Sequence, residues 1–212
     1  MEHTKINQII QNQYCEFNEL TDDFIFKKCI KTDKFKEHLE MFREIFSNYI
    51  DDKKINLILN DTDFCKKIIQ PGLKGVVKGL EFNNIVKEHI NNLNLSNNYE
   101  IEFEKEHCKY KVGEIPDFYI YNKNTDKIII GMNQLDLWEG GQQSNRGDKY
   151  IINCKYNSDN IKFLGVVYNN CKLSKNKNTK KYKLFNKGFT DKTLCYVNGL
   201  NEIILNFFQI QE

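Results

Sequence analysis

Three consecutive isoleucines, Ile128, Ile129 and Ile130, constrain the fold of this chain more than any other feature. A strand with one wet face alternates apolar and polar residues, so an unbroken β-branched run points to a strand covered on both faces, in the middle of an α/β sheet. That run, Lys127 to Met132, is preceded by a second apolar piece, Phe118 to Tyr121, and the polar residues Asn122 to Asp126 separate the two at hairpin length. Two adjacent strands are expected. Pro116 lacks a backbone donor and is tolerated where a strand starts, which puts Asp117 at the point of entry into the sheet.

Past Met132 the chain turns abruptly polar. Asn133, Gln134 and Asp136 are followed by Leu137 and Trp138, a Gly140-Gly141 break, and then Gln142, Gln143, Asn145, Arg146, Asp148, Lys149 and Tyr150. Amides and charges beside a buried strand are costly unless they meet a ligand, a metal or one another. A binding or catalytic cleft is therefore expected at this end of the sheet.

A hydrophobic share of 40% and an aromatic share of 13% fit a folded globule, and 212 residues suffice to bury a substantial core. The formal charge is only +2, so global charge selects no partner and local clusters must be considered instead. Seven scattered cysteines, odd in number and without a CxxC pair, suggest free thiols in a reducing compartment rather than disulfides or a zinc site. No apolar run approaches the about 20 residues of a membrane span, and the N-terminus lacks a signal-peptide core. A soluble, cytoplasmic chain with no membrane partner is expected.

Up to about residue 50, Phe24, Phe35, Leu39, Phe42, Ile45, Phe46 and Tyr49 recur at spacings of three and four, the mark of amphipathic helices. Asp51 to Lys54 breaks the pattern, and Asp61 or Asp63 is placed to cap a short helix ending before Pro71. The four histidines are isolated, with no HxxxH or HExxH spacing to suggest a metal. The glycine-rich stretch from Pro71 to Gly79 forms neither GxxxxGK[ST] nor GxGxxG and reads as a flexible entry to a helix striped by Leu80, Ile85, Val86 and Ile90.

Tyr99 to Glu104 alternates as a half-exposed strand, Asp148 to Tyr156 reads as a helix, and Lys162 to Tyr168 reads as a buried strand. Lys172 to Lys183 holds six lysines, including Lys180 and Lys181, with no acid and no apolar period; it reads as a solvated loop suited to polyanion contact. Leu194 to Val197 and Leu200 to Ile210 look like a strand and a closing helix. The expected organisation is an N-terminal helical extension over residues 1–70 packed on an α/β core over 71–212, as one domain.

The order helix, strand, strand, strand, helix, strand, with Glu81 on the first helix and Ile115-Pro116-Asp117-Phe118 at the second strand, resembles the PD-(D/E)XK nuclease core of type II restriction endonucleases. The resemblance covers roughly residues 78–169. It implies a restriction-endonuclease-like α/β (α+β) core, a central mixed β-sheet flanked by helices. It also implies an endodeoxyribonuclease that hydrolyses phosphodiester bonds in DNA with Mg²⁺ (Mn²⁺ as substitute), sequence-specifically and as a homodimer. Asp117 matches the family's metal-binding aspartate and Glu81 its helical acid.

The third-strand signature departs from the family pattern. In the register Met132-Asn133-Gln134, Gln134 takes the lysine position near the attacking water and methionine the acid position. In the alternative register Gln134-Leu135-Asp136, Asp136 supplies the second carboxylate, since residues two apart face one way on a strand. The implied metal ligands are thus Asp117, Glu81 and Asp136, with Lys149 or Lys127 as substitute cations. A catalytically silent nuclease-fold module that binds nucleic acid is the alternative.

In either case Asn133, Gln142, Gln143, Asn145, Arg146 and Lys149, with Lys180 and Lys181, are the candidate DNA contacts. Amides pair bidentately with adenine and arginine with guanine, and both reach phosphate oxygens. The competing reading of residues 144–148 is a helix start capped by Ser144 or Asn145, with Arg146 paired to an acid.

Overall fold

In the computed structural model, residues 20–135, 154–168 and 178–210 are described, and they divide into two units between Glu81 and Phe82. The boundary falls inside a helix, eleven residues beyond the expected end of the helical extension at residue 70.

The first unit is built from α1 (Asp22–Cys29), α2 (Asp33–Ser47), α3 (Asp52–Leu59), α4 (Thr62–Ile68) and the start of α5 (Pro71–Asn91). Each of the first four begins where a short oxygen-bearing side chain caps it: Thr21, Thr32, Asp51 and Asp61 accept from the backbone N–H three residues on. Asp51 to Lys54 is thus a cap and a first helical turn rather than a break. Ile25, Cys29, Phe35, Ile55 and Leu59 are buried in this unit, and the rings of Phe42, Phe46 and Phe64 meet at its margin.

The glycines at 72, 75 and 79 lie inside α5, not in a flexible approach to it. Pro71 is its first residue, where a missing N–H costs nothing. The buried side is Phe82, Ile85, Val86, His89 and Ile90, whereas Leu80, expected in the stripe, is 54% exposed.

The second unit holds a five-stranded sheet in the order β1 (Tyr99–Phe103), β2 (Phe118–Asn122), β3 (Lys127–Gln134), β4 (Ile161–Val167) and β5 (Leu194–Tyr196). The first three strands run antiparallel as a meander, and β4 and β5 run parallel to β3. The hairpin forms as expected: Asn122 Oδ1 accepts from the N–H groups of Asn124 and Thr125, and Asp126 takes the positive φ that closes the turn. Ile128, Ile129 and Ile130 are at most 2% exposed, so both faces of β3 are covered.

Two-residue alternation sorts the two faces. One carries Phe118, Ile120, Ile129, Gly131 and Val166 and is covered by α5, through the Phe82–Tyr168 ring contact, and by α7 (Val197–Phe208), through the Tyr99–Phe208 contact. The opposite face carries Tyr119, Ile128, Ile130, Phe163 and Val167. There α6 (Lys180–Thr190) packs Phe185 on Val167 and Leu194, and the loop residues His107 and Tyr110 pack near Tyr119.

This is the expected mixed sheet flanked by helices, with two local differences. The strand β3 runs two residues past Met132, and α6 occupies part of the segment expected to be loop. Of the helix expected over Asp148 to Tyr156, only the 3₁₀ turn Cys154–Tyr156 falls within the described residues. No described helix is long and apolar enough to cross a membrane.

Candidate functional site

The second strand delivers Asp117 to the end of the sheet, and its backbone is fixed on both sides. Its N–H donates to Gly131 O at 3.1 Å and its C=O accepts from Glu104 N–H at 3.0 Å, so the ladder extends one residue beyond β2. The half-buried carboxylate then bends toward β3, where Asn133 N–H donates to Oδ2 at 2.6 Å.

Asn83 of α5 completes a ring of contacts. Its Nδ2 donates to Asp117 Oδ1 at 3.4 Å, and its Oδ1 accepts from Asn133 Nδ2 at 2.9 Å. Chemistry fixes the orientation of both amides. A carboxylate only accepts, so Asn83 must present its NH₂ to Asp117 and its oxygen to Asn133; Asn133 must answer with its own NH₂. Asn133 Oδ1 is thereby turned away from the ring, and it is buried with no hydrogen-bond partner among the described residues. An orphaned amide oxygen of this kind costs about 1–3 kcal/mol. The same residue holds Asp117 through its backbone N–H, and amide and carboxylate oxygens are both hard donors of the type that Mg²⁺ selects.

Gly131, two residues back on the same face as Asn133, leaves room for a ring instead of a carboxylate. A Cβ at this position would stand 2.0–2.5 Å from atoms of the fully buried Phe118 ring. The acid position of a Gly131-x-Asn133 register is therefore filled by Phe118. In an Asn133-x-Leu135 register the acid position holds an amide and the lysine position a leucine.

Strand alternation puts Gln134 on the opposite face, level with Val167, and 6% exposed. The register that set Gln134 beside the attacking water is not the one the side chains adopt, because Asn133 is the residue that turns toward Asp117. Glu81 lies in the first unit, where Lys28 Nζ donates to its Oε2 at 3.0 Å. Residues two apart on a helix do not share a face, so Glu81 and Asn83 leave α5 in different directions. Lys127 stands at the far end of β3, with Nζ 3.4 Å from Phe207 O and above the Phe207 ring, and does not reach Asn133.

Asp136, Gln142, Gln143, Asn145, Arg146 and Lys149 lie outside the described residues, as does Trp138. Among the described residues no group of three His, Cys, Asp or Glu could hold a metal ion. Lys180 is the exposed first residue of α6, capped by Thr179, and Lys181 is the second. Asn83 was absent from the sequence expectations. Its signal was a polar residue in line with Val86 and Ile90 on the buried side of α5.

Compared with family models, curated proteins and solved structures, the chain matches none.

Proposed function

We propose that the chain is a divalent-metal-dependent endonuclease with a restriction-like core, acting on DNA. The observation that carries this reading is the Asp117 carboxylate held at the end of an antiparallel meander that a parallel strand extends, its oxygens fixed by Asn133 N–H and Asn83 Nδ2, together with the buried Oδ1 of Asn133, which has no partner among the described residues. Asp117 and Asn133 would hold Mg²⁺, and Asp136, three residues past Asn133 in the chain, is the nearest further carboxylate in sequence. One carboxylate with a neutral oxygen is an adequate protein share for Mg²⁺, which keeps several waters and takes the remaining oxygens from phosphate. A bound Mg²⁺ supplies charge neutralisation at the phosphate and lowers the pKa of a water.

The chain's own residues set the geometry. Asn133 N–H and Asn83 Nδ2 hold the two Asp117 oxygens in fixed directions, and the Phe118 ring over Gly131 closes the apolar side of the site. Lys180 and Lys181, with the basic and amide residues from Gln142 to Lys149, supply the polyanion contacts of this reading.

A second reading, a silent module that binds nucleic acid without cutting it, draws on Leu135 standing at the lysine position and on the missing group of three among the described residues. Incubation of plasmid DNA with the full chain in Mg²⁺ or Mn²⁺ separates the two. The nuclease reading requires metal-dependent nicking or cutting that Asp117→Ala abolishes. Salt-sensitive DNA binding with no cutting in either metal would favour the silent module, and equal cutting by both proteins would remove Asp117 from the chemistry.

A further inference from the structure

The sheet face opposite Asn133 carries a cavity that the nuclease reading does not use. Its volume is about 430 Å³, within the roughly 300–1,000 Å³ of small-molecule clefts. Its floor is Ile130 and Phe163, and its walls are Tyr110 and Val112 from the loop before β2 and Tyr156 from the 3₁₀ turn.

The Tyr110 ring is held in place before any ligand arrives. Tyr110 stacks on buried His107 at 5.4 Å and 23°, and His107 Nδ1 accepts from the N–H groups of Lys109 and Tyr110. The Tyr110 hydroxyl donates to Asp126 O at 3.4 Å. At the mouth, the Tyr156 ring is 58% exposed and open to a guest.

Charge at the rim narrows the choice of guest. Lys109 and Lys111 line the cavity, and Lys155 Nζ sits 4.8 Å above the Tyr156 ring. Lys109 is paired with Asp126, whereas Lys111 makes no ion pair with a described residue. A cationic guest, the usual occupant of an aromatic cage, would meet three lysines and a single carboxylate. An aromatic guest bearing negative charge satisfies both the rings and the rim, since stacking on a ring accepts any base and a lysine accepts any phosphate.

We infer that this cavity binds a nucleobase carrying a phosphate, with the base against Tyr156 and Phe163 and the phosphate toward Lys111. The inference is independent of cleavage at Asp117, because the cavity lies on the other face of the sheet.

Calorimetric titration of the full chain with AMP, adenosine and inorganic phosphate tests it. AMP is expected to bind more tightly than either fragment. Tyr156→Ala, at an exposed position, should weaken AMP and adenosine alike by about tenfold, and Lys111→Glu should weaken AMP while leaving adenosine unchanged. Displacement of AMP by a short single strand of deoxyadenosine assigns the base to a polynucleotide, and failure to displace it assigns the site to a free nucleotide; either supports the inference. Absence of AMP binding at millimolar concentration would overturn it, as would binding matched by phosphate alone or affinity unchanged in both variants.

Discussion

Replacing Asn83 by leucine, which keeps the volume and removes the amide, tests the hydrogen-bonded ring from its least obvious member. In Asn83→Leu the Asn133 NH₂ loses its partner at 2.9 Å, and Asp117 Oδ1 loses a donor at 3.4 Å. A buried donor left unsatisfied costs about 1–3 kcal/mol, and a contact at the long limit of hydrogen bonding adds only a few tenths. The expected loss is about 2 kcal/mol. Asn133→Leu behaves differently: it leaves Asn83 Oδ1 unpaired but also removes an oxygen that has no partner among the described residues, so the two effects nearly cancel. The backbone N–H that holds Asp117 Oδ2 survives that substitution. The double variant removes both orphaned amides at once and should be more stable than Asn83→Leu alone, giving a coupling of about 1–2 kcal/mol. Urea unfolding by circular dichroism reads this as midpoint shifts of about 1 M for the single Asn83 variant and less for the double. Costs that simply add, within about 0.5 kcal/mol, would refute the ring, because residues in one network must couple.

Two further outcomes follow from the packing and burial of the second unit. Gly131→Ala drives a Cβ into the Phe118 ring and should cost at least about 2 kcal/mol in urea unfolding, with part recovered in the Gly131→Ala/Phe118→Leu double variant; a neutral Gly131→Ala would contradict the packing. Burial pushes the His89 imidazole down from 6.5 to about 4, so between those values the unfolded chain binds a proton that the folded chain does not, and stability falls as pH drops through that window. The loss between pH 7.5 and pH 5 should be about 2 kcal/mol, and His89→Gln should flatten the profile; an unchanged profile would show that His89 is not its source.

The sheet was legible because its signals are local. An unbroken isoleucine run, a polar turn of hairpin length and a proline before an acid place β2, β3 and Asp117 without any knowledge of the remainder of the chain. The site was less legible, for three physical reasons. Which of Asn133 and Gln134 turns toward Asp117 depends on strand register against β2, and alternation transfers a side chain to the other face with each residue. The role of Asn83 rests on a helix crossing that face, a contact between residues fifty positions apart. Glu81 was placed by family analogy, and the helix turns between positions 81 and 83 send the two side chains different ways. The helix α6 was hidden by its lysines: Thr179 as cap and Leu184, Phe185 and Phe189 at helical spacing were the available signal. The glycines of α5 misled in the opposite sense, because three of them suggest a loop, whereas the packed stripe from Leu73 through Val77 and Phe82 to Ile90 keeps the segment helical.

Mn²⁺ binding followed by electron paramagnetic resonance tests the proposal that Asp117 and Asn133 offer two oxygens to one divalent ion. The wild-type chain should take up one Mn²⁺ that Mg²⁺ displaces, and Asp117→Asn and Asn133→Leu, each shown to be folded, should weaken that uptake by at least about tenfold. Mn²⁺ uptake of equal affinity in all three proteins would contradict it.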